Sequence, residues 1–108
     1  MENKKLGKTS VGIEPNVEAL LCYLLGFITG IIFYIAEKEN KFVRFHAVQS
    51  SIVFGALFAA GIFIGLIPGI NIIYWLAEVV LWIILMIEAY QGNKFKLPIA
   101  GDIAEKHS

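Results

Sequence analysis

The stretch Ile62-Phe-Ile-Gly-Leu-Ile-Pro68-Gly69-Ile-Asn-Ile-Ile-Tyr74 interrupts an otherwise apolar run from Val43 to Tyr90, and its reading decides the fold. At about 1.5 Å of rise per residue, an unbroken helix over that run would be more than twice as long as the roughly 30 Å of hydrocarbon in a bilayer. The run must therefore turn. Proline cannot continue the helical ladder and glycine accepts the reversal, so Pro68-Gly69 predicts a hairpin of two membrane helices, 43–67 and 70–90.

Working toward the N-terminus, the chain has no charged residue from Ala19 to Ala36. Residues 17–36 are long enough for one crossing, which predicts an all-α, three-helix integral membrane bundle over residues 16–91. Asn16 reads as the N-cap of this first helix, with Glu18 in its positive first turn. A cleaved signal peptide is the competing reading, suggested by Lys4, Lys5 and Lys8, but the apolar stretch is too long and no small-residue cleavage site follows it. Residues 1–15 read as a disordered tail and residues 92–108 as a C-terminal interfacial tail.

Composition agrees with the bilayer as solvent. Of 108 residues, 57% are hydrophobic and 17% charged, with zero net charge and a single cysteine, Cys22. Soluble domains carry about 25% charged residues. A disulfide scaffold, a zinc module and a soluble nucleic-acid binder are excluded. Three crossings would place the N-terminus and the Pro68 turn on one side, and the 37–44 loop and C-terminus on the other. Lys4, Lys5 and Lys8 then oppose Lys38, Lys41, Arg44, Lys94, Lys96 and Lys106. The majority predicts a multi-pass plasma (inner) membrane protein with the N-terminus outside and the C-terminus cytoplasmic.

No motif for a cofactor, a metal or catalysis is present, so the chain reads as non-enzymatic. Its candidate sites are polar residues in an apolar chain. Glu78 lies about 12 Å into the third helix, near the bilayer midplane, where an ionisable group is costly. It reads either as a proton or substrate site, or as an acid bonded to a neighbouring helix, with Thr29 as candidate partner. Arg44, His46, Gln49 and Glu88 read as one polar cluster at the cytoplasmic ends of helices two and three. An ion pair to Glu88 could tie these ends together. Because His46, Gln49 and Ser50 share a helix face, that face is either a partner or substrate contact or a polar cap bonded to adjacent helix ends.

Small residues recur at four-residue spacing, Gly26 with Gly30, Gly55 with Ala59, and Gly61 with Gly65. Such stripes permit close helix packing, within the chain or in a homo-oligomer. Trp75, Tyr74 and Tyr34 read as interfacial anchors, and Trp82 as a core or lipid-facing residue.

Three segments together carry a family resemblance: Ala19-Leu-Leu-Cys-Tyr-Leu-Leu-Gly26-Phe-Ile-Thr-Gly30, Asn40-Lys-Phe-Val-Arg-Phe-His-Ala-Val-Gln49-Ser, and the ending from Ala89 through Gly92, Pro98 and Gly101. The chain resembles prokaryotic small membrane proteins related to the twenty-kilodalton Tic component of the chloroplast inner envelope. That resemblance implies a subunit or accessory factor in membrane transport or protein translocation. Its partners would be the lipid bilayer and other membrane proteins or further copies of itself, with no nucleic acid. The alternatives are a proton-coupled carrier or membrane enzyme using Glu78 and His46, and a structural interaction module.

Overall fold

A computed structural model describes residues 7–108. The described residues form five helices: α1 (Pro15–Leu24), α2 (Phe27–Ala36), α3 (Lys41–Ile64), α4 (Ile70–Tyr90) and α5 (Ala100–His107). The anticipated hairpin is present. α3 ends at Ile64 and α4 begins at Ile70, around Gly69 with its positive φ of 88°. Both helices are long and apolar enough to cross a membrane.

The first expected crossing is replaced by two helices. α1 and α2 have 10 residues each, about 15 Å and half of the hydrocarbon thickness. They meet at Gly26, whose φ of 65° reverses the chain. α2 then returns to the end where α1 began, since the backbone N–H groups of Lys38 and Glu39, just after α2, donate to Ser10 Oγ, just before α1, at 3.1 and 3.0 Å. This is a short helical hairpin whose two ends lie together. The three-crossing bundle, and the opposite-side placement of the termini drawn from it, are corrected accordingly: the N-terminal segment, the α2–α3 junction and the end of α4 share one end of the molecule, here called the base. A bond of 3.1 Å from Asn16 Nδ2 to the carbonyl of Tyr90, the last residue of α4, fixes this arrangement.

A chain break inside hydrocarbon exposes carbonyls that need donors from protein, because lipid supplies none. α2, α3 and α4 provide them. Ser50 Oγ shares its one proton between the carbonyls of Cys22 and Gly26, at 2.6 and 2.9 Å. Trp82 Nε1 donates to the Tyr23 carbonyl at 2.6 Å, which gives this tryptophan a structural anchor. Thr29 Oγ1 donates to the Cys22 carbonyl at 3.1 Å and accepts from Leu25 N at 3.2 Å. Thr29 is thereby committed to the break rather than to Glu78.

The helix ends at the base are satisfied differently from the sequence expectation. α1 starts with Pro15 after Glu14, without a side-chain cap, and Asn16 is buried within its first turn. α3 is capped by Asn40, whose side chain accepts from Val43 N at 3.0 Å. The 1–15 tail expected to be disordered lies partly outside the described residues. Within 7–14, Asn40 Nδ2 donates to the Lys8 carbonyl at 3.0 Å, and Ser10 bonds across to the α2–α3 junction. The C-terminal tail folds back onto the base of α3, and α5 buries Ala100, Gly101 and Ala104.

The core sits in the base half, where Ala19, Cys22, Tyr23, Val43, Ala47, Leu85 and Ala89 are fully buried. Beyond the tip of the α1–α2 hairpin, α3 and α4 stand as a two-helix stalk with exposed apolar side chains such as Phe63, Leu66 and Ile73. The glycines divide on the same line. Gly26 is the turn itself rather than part of a packing stripe, whereas Gly30 lies against α3. Gly61 faces the Tyr74 ring, Gly65 is the C-cap of α3, and Ala59 is exposed.

A Cβ at Gly30 would stand 2.8 Å from Ser51 Oγ and 3.0 Å from both the Ala47 carbonyl and Ser50 Oγ, but one at Gly55 would meet only Phe27 Cβ at 4.0 Å. Gly30→Ala should therefore destabilise the protein by about 1–3 kcal/mol through overpacking. Gly55→Ala meets no such clash and should leave stability unchanged or raise it by up to about 1 kcal/mol, the gain in helix propensity. Thermal unfolding in detergent measures both, and equal effects would contradict the packing described.

Candidate functional site

The polar residues of the base form three connected groups. The first is built on one face of α3. His46 and Gln49 are fully buried there, beside Tyr23 of α1 and under the 92–99 segment of the tail. His46 Nε2 lies 3.0 Å from the Asn93 carbonyl. A carbonyl only accepts, so Nε2 carries the proton, and Nδ1 accepts from the Tyr23 hydroxyl at 2.7 Å. The same hydroxyl accepts from Gln49 Nε2 at 3.0 Å. Gln49 Nε2 also donates to the Phe95 carbonyl at 2.8 Å, and Gln49 Oε1 accepts from Leu97 N at 2.9 Å. Both nitrogens of the neutral imidazole and both ends of the amide are engaged, which clamps the tail against the membrane helices. Phe42 and Phe45 pack edge-on against the imidazole at centroid distances of 4.7 and 5.1 Å and complete its enclosure.

Glu88 joins this group at its margin, accepting from Asn93 Nδ2 at 3.0 Å. Arg44 turns away from it. One guanidinium nitrogen donates to the carbonyls of Tyr34 and Glu37 at 3.1 and 2.7 Å, and the guanidinium lies 4.2 Å over the Tyr34 ring. The expected four-residue cluster is thus divided. His46 and Gln49 act together, Glu88 connects through Asn93, and Arg44 serves the end of α2, whose negative dipole end and free carbonyls a cation satisfies. Among the described residues the ion pairs join Lys96 to Asp102 and Glu105, so the tie between Arg44 and Glu88 is absent there.

The third group escaped the sequence analysis. Glu18 and Glu37 are both fully buried. Glu37 accepts from the backbone N–H of Ser10 at 2.9 and 2.8 Å, of Glu39 at 3.1 Å and of Asn40 at 3.0 Å. Burial alone would push its carboxyl up, but these donors outweigh burial and hold it below the usual carboxylate value of 4.5. Neither oxygen of Glu18 has a hydrogen-bond partner among the described residues, and burial beside the Glu37 carboxyl penalises a second charge there. Their only sequence signal is position: each stands at a helix end whose partner becomes visible once the chain is known to double back at Gly26.

Glu78 stands apart from the base. It is half-buried at the tip of the α1–α2 hairpin, and two lateral cavities of about 440 and 710 Å³ open on either side of it. Tyr74, expected as an interfacial anchor, donates its hydroxyl to the Leu57 carbonyl across the stalk. Tyr34 donates to the His107 carbonyl at 3.3 Å, while Trp75 is exposed. No group of three or more His, Cys, Asp and Glu residues could hold a metal ion among the described residues.

These elements place the chain among small helical membrane proteins, with two long apolar helices and a short helical hairpin packed against them. It belongs to the magnetosome magnetite crystal formation protein family, whose model matches residues 14–104 and so covers all five helices except the end of α5. A UPF0132 membrane protein of Methanocaldococcus jannaschii is 55% identical over 106 residues, covering 95% of this chain and 96% of the relative. A second from that organism is 44% identical over 105 residues, covering 91% and 73%. One from Archaeoglobus fulgidus is 43% identical over 98 residues, covering 87% and 95%. No solved structure matches. The resemblance to the chloroplast Tic component is overturned by this membership, and the translocation role inferred from it is withdrawn. The element Arg44 to Gln49, which carried that resemblance, has a packing role here in closing α2 and clamping the tail.

Since Glu37 has a lowered value in the folded state, the stability it contributes is fully present above the ordinary carboxylate value of 4.5 and is lost as pH falls through the lowered one. Glu37→Gln should cost about 1.5–3 kcal/mol at neutral pH, the range for hydrogen bonds to a charged group. The difference from wild type should shrink in acid. Unfolding temperatures of both forms across pH check this, and a difference that does not change with pH would contradict it.

Proposed function

We propose that the chain is a non-catalytic membrane assembly module that presents one charged face to the cytoplasm and holds a half-membrane hairpin against two crossing helices. The observation that carries this reading is the distribution of charge over the fold. Of the described lysines and arginines, Lys8, Lys38, Lys41, Arg44, Lys94, Lys96 and Lys106 all belong to the base, and the 65–69 turn at the other end has none. The positive-inside tendency then favours the base as cytoplasmic, without the opposing lysines of the three-crossing reading. The base also presents α5 and the α2–α3 junction, where charges of both signs suit contact with protein partners or further copies.

A catalytic role has less support, because the ring nitrogens of His46 and the amide of Gln49 are fully used in holding the tail. A relay between His46 and Glu78 is disfavoured as well. The first is enclosed by Tyr23 and Asn93, and the second opens on cavities beyond the hairpin tip. The family's description names magnetite crystal formation, and for this chain we propose only the membrane scaffold. The 65–69 turn, Gly-Leu-Ile-Pro-Gly, offers no charged side chain to a mineral.

Topology tests the reading. With Cys22→Ala as background, single cysteines at Ser10 and Ser108 should both resist an impermeant thiol reagent added to intact cells, and one at Leu66 should react. Reaction at Ser10 with protection at Ser108 would restore the three-crossing arrangement, and reaction at both would invert the protein.

A further inference from the structure

The tip of the α1–α2 hairpin stops part-way along α3 and α4, and the space it leaves beside them is a cavity of about 440 Å³. Its lining is aromatic and aliphatic, with Phe27, Phe54, Phe58, Trp82 and Leu25, and a single charged residue, Glu78. Phe27 and Phe58 stand with ring centroids 5.5 Å apart along one wall. The Glu78 carboxyl makes no hydrogen bond and no ion pair with any described residue, its neighbour Tyr74 being bonded to the Leu57 carbonyl, and an unpaired ionisable group on a membrane helix is expensive. A closed polar network like that around His46 would have removed this cost. Here the fold leaves the acid open to a ligand.

The lining selects the ligand's chemistry. A lipid acyl chain or a neutral apolar molecule would fill the volume and leave the acid without a partner. A metal ion would find one carboxylate and no second ligating group. A helix from another copy would need a cation on its apolar face to pair the acid, whereas a volume within the small-ligand range of roughly 300–1,000 Å³ suits a free molecule. A cation with apolar arms meets every feature. Its charge faces the carboxylate and the aromatic ring faces, its arms replace lipid against the aliphatic wall, and the lateral opening admits it from the hydrocarbon where it partitions.

We propose that the cavity between the α1–α2 hairpin tip and α3–α4 binds a lipophilic organic cation, an ammonium or phosphonium ion, with Glu78 as its counter-charge. The cation neutralises the acid in place, so ligand and carboxylate enter the low-dielectric site as a pair.

Tetraphenylphosphonium and tetraphenylborate have the same shape and opposite charge, which makes them the test pair. In detergent-solubilised full-length protein carrying Trp75→Phe, Trp82 is the single tryptophan and lines the cavity. Tetraphenylphosphonium should change its emission saturably, and tetraphenylborate should not. Glu78→Gln, isosteric and uncharged, should weaken the phosphonium response about tenfold or more, as loss of a charged contact does. Phe58→Leu keeps an exposed apolar contact and removes a ring face. It should weaken binding severalfold, and it decides the matter should Glu78→Gln fail to fold. No saturable phosphonium response in folded protein would overturn the proposal. So would equal binding of the borate, or folded Glu78→Gln and Phe58→Leu forms that bind like the parent.

Discussion

The carbonyls at the α1–α2 break are the constraint on which the rest of the structure depends. A backbone that reverses inside a membrane must find donors within the protein, and here Ser50, Thr29 and Trp82 supply them from three different helices. Without those donors the 17–36 segment would gain by straightening into a single helix with every carbonyl paired. With them, the two short helices lie against α3, Gly30 meets the Ala47 carbonyl, and the chain returns to the face it left. The one-sided distribution of charge follows from that reversal.

At the base, the returning chain is fastened by groups that would otherwise be costly to bury. Arg44 closes the end of α2, Asn40 caps α3, and the Glu37 carboxylate gathers the N–H groups of Ser10, Glu39 and Asn40 into one junction. Glu18 is buried beside this junction with no hydrogen-bond partner among the described residues. His46, Tyr23 and Gln49 then fix the tail across α3 in a network with one consistent set of donors and acceptors. Such closure rigidifies a polar core, and it separates this region from Glu78, whose carboxyl has been left open.

The α3–α4 hairpin was legible because its signals are local: a long apolar run, one Pro-Gly pair and no charges between. That Glu78 stands about 12 Å along α4 followed from helical rise alone. The α1–α2 hairpin was not legible, because an apolar run of about twenty residues satisfies the length rule for a crossing whether or not it bends. Gly26 spaced four residues from Gly30 resembles a packing stripe, and only the contact with Ser50 shows that one glycine turns the chain while the other packs. Arg44 and His46 are two positions apart in sequence, which on a helix points them in different directions. The cluster joining them was therefore drawn from depth and not from rotation. Glu18 and Glu37 are nineteen positions apart and meet only because of the reversal. The family resemblance failed for a related reason, since a short motif that closes a helix and clamps a tail marks a local packing solution and not a shared activity.

The central claim is that residues 15–36 enter and leave the membrane on one side, and a disulfide tests it most directly. Ser10 Oγ accepts from Lys38 N at 3.1 Å, whereas a single crossing would hold these positions about 30 Å apart on opposite sides. In a Cys22→Ala background, cysteines at Ser10 and Lys38 should form an intramolecular disulfide in native membranes under mild oxidation. Failure to form it, with the two thiols reacting with impermeant reagents from opposite sides of the membrane, would contradict the account.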